Sequence, residues 1–85
     1  MAGYRVLFRR SVFKELQKIP RKDLRIILKE IGSLGDDPRP RSCEKLSAKE
    51  QYRLRHGRYR IVYSVQDDDA TVWIVKVGHR KDVYR

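Results

Sequence analysis

Polar and apolar residues alternate along three stretches in the second half of the chain. Each alternation predicts a strand, because a strand sends neighbouring side chains to opposite faces. From Tyr52 to Arg55, Tyr52 and Leu54 fall on one side, Arg53 and Arg55 on the other. From Tyr59 to Val65, Tyr59, Ile61, Tyr63 and Val65 oppose Arg60, Val62 and Ser64. From Thr71 to Arg80, Thr71, Trp73, Val75 and Val77 form the bulkier apolar set, and Val72, Ile74, Lys76, Gly78 and Arg80 the other. His79 goes by the same parity with Trp73 and Val77. His56-Gly57-Arg58 joins the first two strands, and Asp67-Asp68-Asp69 reads as a tight turn between the last two. If the bulky apolar sets share a core, Arg53, Arg55, Arg60, Lys76 and Arg80 share the opposite, basic face.

The first half changes period. Tyr4, Val6 and Phe8 alternate with Arg5, Leu7 and Arg9, a short β-rich strand. Ser11 is positioned to cap a helix whose apolar stripe is Val12, Leu16 and Ile19, with Phe13 alongside. Pro20 disfavours helical geometry at Ile19 and ends it. A second helix from about Arg21 carries Leu24, Ile27, Leu28, Ile31 and Leu34 at i, i+3, i+4, i+7 and i+10. Gly35 stands where a helix C-terminal glycine belongs. From Asp36 to Gln51 the chain reads as irregular, with Pro38 and Pro40 early in it and a brief turn at Ser47-Ala48-Lys49-Glu50. Lys81 to Arg85 is a terminal tail. The expected class is α+β, in the order β-α-α-β-β-β. A helix hairpin covers the face of Tyr59, Ile61, Tyr63, Trp73, Val75 and Val77 on a roughly four-stranded sheet, and the other face is left open. Residues 1–85 make a single domain.

Charge decides which partners suit that open face. Lysine and arginine number 21 against 11 acids, a formal net charge of +10 with a pI near 10.2. Such a field favours polyanions, beyond what solubility requires. Arg39, Arg41, Lys45 and Lys49 in the irregular stretch, with Lys76 and Lys81, either follow a phosphate backbone or are solvated surface charges. The single cysteine, Cys43, allows no internal disulfide and suits a reducing compartment. No apolar run approaches the length that spans a bilayer, so no membrane role is expected and the cytoplasm is the default location. No glycine-rich phosphate loop, zinc-ligand pair or carboxylate cluster is present, so neither a metal nor another cofactor is expected.

A basic face of this kind can bind RNA, and it can also cut it without a metal. The RNA 2′-OH is an internal nucleophile beside its own 3′ phosphate. A protein then has to align it and neutralise charge growing on the phosphate oxygens. Guanidinium groups are permanently charged and bidentate toward phosphate, and tyrosine can stack on a base. Arg53, Arg55, Arg60, Arg80 and Tyr84 are the candidate site. His56 and His79 do not form a facing acid–base pair by parity.

The run Tyr52-Arg53-Leu54-Arg55-x-x-x-Tyr59-Arg60-Ile61-Val62-Tyr63, followed by Val77-Gly78-His79-Arg80-Lys81-Asp82-Val83-Tyr84, resembles the RelE branch of the RelE/ParE toxin superfamily. Lys14-Glu15-Leu16 with Ile19-Pro20 and a second helix is similar too. The resemblance implies the toxin of a type II toxin–antitoxin pair. Such a toxin enters the ribosomal A site and cuts mRNA by 2′-OH attack, leaving a 2′,3′-cyclic phosphate and a 5′-OH. By that matching Arg60 and Arg80 hold the phosphate and stabilise the transition state, with Arg80 protonating the leaving 5′ oxygen, and Tyr84 orients a base or assists the 2′-OH. Arg53 and Arg55 stand where the best-known pattern has lysines. Arginine stays protonated at neutral pH and so cannot accept the 2′-OH proton, which leaves the general base open among Tyr84, an RNA phosphate, a ribosomal group and His79. The implied partners are an acidic RelB-like antitoxin, the ribosome with mRNA, and operator DNA through the antitoxin complex. The alternatives are a ParE-like DNA gyrase inhibitor and a non-catalytic nucleic-acid-binding module.

Overall fold

A computed structural model describes residues 3–46 and 50–79. The elements run β1 (Arg5–Phe8), α1 (Arg10–Gln17), α2 (Arg21–Ser33), β2 (Glu44–Leu46), β3 (Gln51–His56), β4 (Tyr59–Gln66) and β5 (Thr71–His79). The strands form one five-stranded sheet in the order β1-β5-β4-β3-β2. The meander β2 to β5 is antiparallel, and β1 adds to it parallel to β5. The fifth strand is β2, three residues inside the stretch expected to be irregular. It carries too little alternation to be seen in the sequence, and pairing with β3 creates it.

The expected helix hairpin covers one face of the sheet. Val12 of α1, Ile19 just past its end at Gln17, Ile27 and Ile31 of α2 and Leu34 at its C-cap join Tyr52, Leu54, Ile61, Tyr63 and Val65 in one core. Each such aliphatic side chain, fully buried, contributes about 1.5–3 kcal/mol, and this holds two short helices on the sheet. Tyr4, Val6 and Phe8 pack against the same core, as their alternation predicts. Phe13 and Leu28, expected in the apolar stripes, are instead exposed. The stripes are narrower than the sequence suggests, because the sheet accepts one row of side chains from each helix.

Two helix ends differ from expectation. Ser11 is not the cap of α1; Arg9 is, with no side-chain cap, and Ser11 lies inside the first turn. Gly35 does follow the C-cap of α2, Leu34, but not in the left-handed conformation, since the positive-φ glycines are Gly3 and Gly57. Its reason is a close approach. The Tyr4 N–H donates to the Gly35 carbonyl at 2.8 Å. A Cβ on Gly35 would stand 3.0 Å from the Tyr4 carbonyl oxygen. Gly57, at φ +57°, meets the demand of the tight β3–β4 hairpin directly.

The largest correction concerns β5. Ile61 pairs with Val77 and Val62 with Lys76, but Tyr63 pairs with Ile74, so Val75 has no partner on β4. One extra residue reverses the parity of everything before it. Val72 and Ile74 therefore enter the core with Val77, while Trp73 pairs with Ser64 on the opposite face. Trp73 and Val75 do not lie under the helices. Beyond Ile74, where β1 has ended, Glu15 of α1 covers the β5 edge. It accepts from the Val77 N–H at 2.9 Å and from Lys76 Nζ at 3.3 Å. A backbone donor on a part-buried edge thus finds an acceptor.

Candidate nucleic-acid interface

Register builds the site. Arg55 stands directly opposite Arg60 and Arg53 opposite Val62, so Arg53, Arg55 and Arg60 share the face away from the helices. Like charges directly opposite each other are unfavourable unless something else neutralises them. Here β2 supplies it. Glu44 pairs with Arg53 across β2 and β3, which sets its carboxylate on the same face. Its Oε2 accepts from Arg53 Nη2 and its Oε1 from Arg55 Nη2, both at 3.3 Å. One carboxylate thus bridges two guanidinium groups.

Arg60 is held differently. It is buried, 4% exposed, and its Nη1 donates to the carbonyls of Gly57 at 3.4 Å and Tyr59 at 3.2 Å. Its neighbour across β5 is Gly78, which has no side chain to occupy the space. Burying a charge is expensive unless polar groups surround it. The carbonyls fix this guanidinium in place before any ligand arrives. Arg53 is largely covered and Arg55 half-exposed, their side chains 16% and 55% accessible. The face grades from a fixed, buried cation to an open one.

The other predicted residues are held in different ways. Lys76 is on the arginine face by its pairing with Val62, and its ammonium is drawn to Glu15. Arg39 is engaged in a polar clamp. Its Nη1 and Nη2 donate to the two oxygens of Asp67 at 3.2 and 2.9 Å, and its Nε to the Tyr52 hydroxyl at 2.8 Å. Tyr52 donates in turn to Glu50 at 2.7 Å, and Tyr4 donates to Asp67. Bonding to Arg39, and then to Tyr4, holds the Asp67 carboxyl below its ordinary range. The Tyr52 hydroxyl does the same for Glu50. Lys45 is exposed and pairs with Glu50 at 3.6 Å, and Arg41 is exposed. Lys49, Arg80, Lys81 and Tyr84 lie outside the described residues.

The sheet separates both histidines from the arginines. His56 and His79 each pair with Tyr59, on the helix side. His56 Nδ1 lies 3.6 Å from Glu30 Oε1, and the His79 ring meets Tyr59 edge-on at 5.9 Å between centroids. His79 thus keeps its predicted company with Val77, but not with Trp73. Among the described residues no group of three or more His, Cys, Asp or Glu side chains could hold a metal ion. No described helix is long and apolar enough to cross a membrane.

Glu44 is the site residue that sequence reasoning missed. It lies nine positions before Arg53 in a segment with no regular pattern, and only the β2–β3 register brings it there. An acid ahead of an alternating basic strand was the available signal, and Glu50 offered the same one.

The chain is thus a small α+β domain with helices on one sheet face and a graded arginine cluster on the other. Residues 6–84 match the family of ParE toxins of type II toxin–antitoxin systems, and the chain belongs to that family. It is similar to toxin RelG of Mycobacterium tuberculosis, 31% identical over 84 residues covering 96% of this chain and 97% of that one. It is also similar to a RelE-like toxin protein of Escherichia coli, 33% identical over 85 residues covering 95% and 90%. In structure it matches the archaeal RelE–RelB complex of Pyrococcus horikoshii, with a TM-score of 0.80 and 32% identity over 92% of this chain and 96% of that one.

Proposed function

We propose that this chain is a RelE-like toxin that cuts mRNA in the ribosomal A site by attack of the 2′-OH on the adjacent phosphate. The observation that carries this reading is the arrangement of Arg53, Arg55 and Arg60 on one sheet face with Glu44 between the first two. Arg60, held by backbone carbonyls just beneath the face, is suited to neutralise phosphate charge from a fixed position, which is how preorganised charge lowers a barrier. Arg55, half-exposed, is suited to follow the charge that builds on the phosphate oxygens. Glu44 is a proton acceptor among groups that cannot accept one, and it takes the role of general base toward the 2′-OH. The proton passes to Glu44, the P–O5′ bond breaks, and the products are a 2′,3′-cyclic phosphate and a 5′-OH. Arg80 protonates the leaving 5′ oxygen and Tyr84 orients a base. Both roles follow from the family resemblance.

The partner that restrains this activity is an acidic antitoxin. A solved relative is a complex of RelE with RelB, and a net charge of +10 favours a chain of opposite sign. Operator DNA is reached through that complex. The test is primer extension on programmed ribosomes, comparing wild type with Arg55→Ala and Arg80→Ala. Cuts in the A-site codon that require ribosomes and fade in both variants support the reading. A folded, antitoxin-free chain that leaves mRNA whole overturns it. The family match to ParE toxins favours gyrase as the next target in that case, and a supercoiling assay decides it.

A further inference from the structure

The register shift in β5 moves Trp73 out of the core and onto the arginine face. There it lines an open cleft of about 530 Å³ together with Phe8, Arg9, Arg10, Ser64 and Gln66. Ser64 is its cross-strand neighbour, so the indole, a hydroxyl and an amide converge on one space. Arg9 and Arg10 are exposed, and among the described residues neither guanidinium makes a hydrogen bond or ion pair. This sets them apart from Arg39, Arg53, Arg55 and Arg60, which are all engaged. The first turn of α1, at Arg10, holds no acid to offset them.

We propose that this cleft is a single-stranded RNA subsite, in which Trp73 stacks on a base, Ser64 and Gln66 meet its polar edge, and Arg9 and Arg10 hold the flanking phosphates. An aromatic platform beside cations is the usual arrangement for gripping single strands, since every base has a π-face. Ser64 and Arg60 lie four residues apart on the same face of β4, about 13 Å at the rise of a strand. A few nucleotides bridge that distance, so one strand can occupy both the cleft and the arginine cluster. The subsite rests on the RNA-cutting reading for its purpose, but not for its detection.

Trp73 is the chain's single tryptophan, so its fluorescence reports this cleft alone. The probe is a short single-stranded RNA with 2′-O-methyl groups, which cannot be cut. Wild type should show quenching of Trp73 that weakens steeply with added salt. The double variant Arg9→Ala/Arg10→Ala, altered only at the surface, should need several times more RNA for the same quenching. Trp73→Leu, followed by anisotropy of labelled RNA, should lose about ten-fold in affinity, the order that one stacked base supplies. Trp73→Phe should recover most of it while both variants melt alike, an outcome a packing role alone does not predict. RNA that fails to bind, or binds with Trp73 emission unchanged, overturns the proposal. So does quenching that is indifferent to Arg9 and Arg10, or a response to an acidic peptide and none to RNA. Quenching by a chain that cuts nothing on ribosomes upholds the subsite and removes the nuclease reading, so the two fail separately.

Discussion

Arg39 and Arg55 are surface arginines of one small domain, and their surroundings differ in one ratio. Arg39 faces two carboxylates, Asp67 and Glu50, and adds the Tyr52 hydroxyl. Its guanidinium also sits 5.3 Å from the centre of the Tyr52 ring. Arg55 has, among the described residues, one carboxylate, Glu44, which it shares with Arg53 and reaches at 3.3 Å. A guanidinium with its donors used has little to offer a phosphate; Arg55, half-exposed beside a carboxylate it shares, keeps donors in reserve. The comparison teaches that arginines are sorted by their acids, and that net charge alone does not say which of them bind.

That contrast can be broken by substitution. The largest effect is expected at Glu44. Glu44→Gln keeps the shape and removes the proton acceptor, so cutting on ribosomes should fall about 10²-fold or more. RNA affinity should hold or rise, because a negative charge has left the face. Cutting at the wild-type rate would remove Glu44 from the chemistry. Next, Arg55→Ala should slow cutting by roughly ten-fold and leave the melting temperature within about 2 °C of wild type, because the side chain is half-exposed and its ion pair is worth little to stability.

Arg39→Ala should do the reverse. Loss of the clamp should cost about 1 kcal/mol, discounted for its exposure, or a drop of about 4–8 °C in Tm. The rate of cutting per folded molecule should not change. A slowed rate with an unchanged melting temperature would place Arg39 among the binding arginines instead.

The smallest effect is in pH. The carboxyls of Asp67 and Glu50 titrate below their ordinary range, because of the Arg39 and Tyr52 hydrogen bonds respectively. Groups with lowered folded values stabilise the fold above their unfolded pKa of about 4, and that stabilisation fades as pH falls through the folded values. Thermal melts from pH 5 downward should show wild type losing more than Arg39→Ala. Parallel curves would mean the clamp contributes nothing.

Much of this was legible before any coordinates. Each residue of β3 and β4 that alternates in the sequence alternates in the sheet, because one face of each strand is apolar and the other polar. That alone places Arg53, Arg55 and Arg60 together. The helix stripes of Val12, Ile19, Ile27, Ile31 and Leu34 were equally plain. Strand β2 was not, since three residues carry no period, and Glu44 was missed along with it.

The sequence by itself determined the order of every element but β2, the helix-covered face and the three central arginines, because burial of a periodic apolar set admits one solution. Only the tertiary structure decided what β5 does. Both of its alternating sets are apolar at the start, Thr71 and Trp73 on one side and Val72 and Ile74 on the other, so parity there has no preferred sense. The unpaired residue Val75 settles it. Val72 and Ile74 fit against Tyr63 and Val65, and the larger indole is left on the arginine face. Strand period is a local property, but which face a strand presents depends on the count of residues opposite, and that count exists only once the strands have paired.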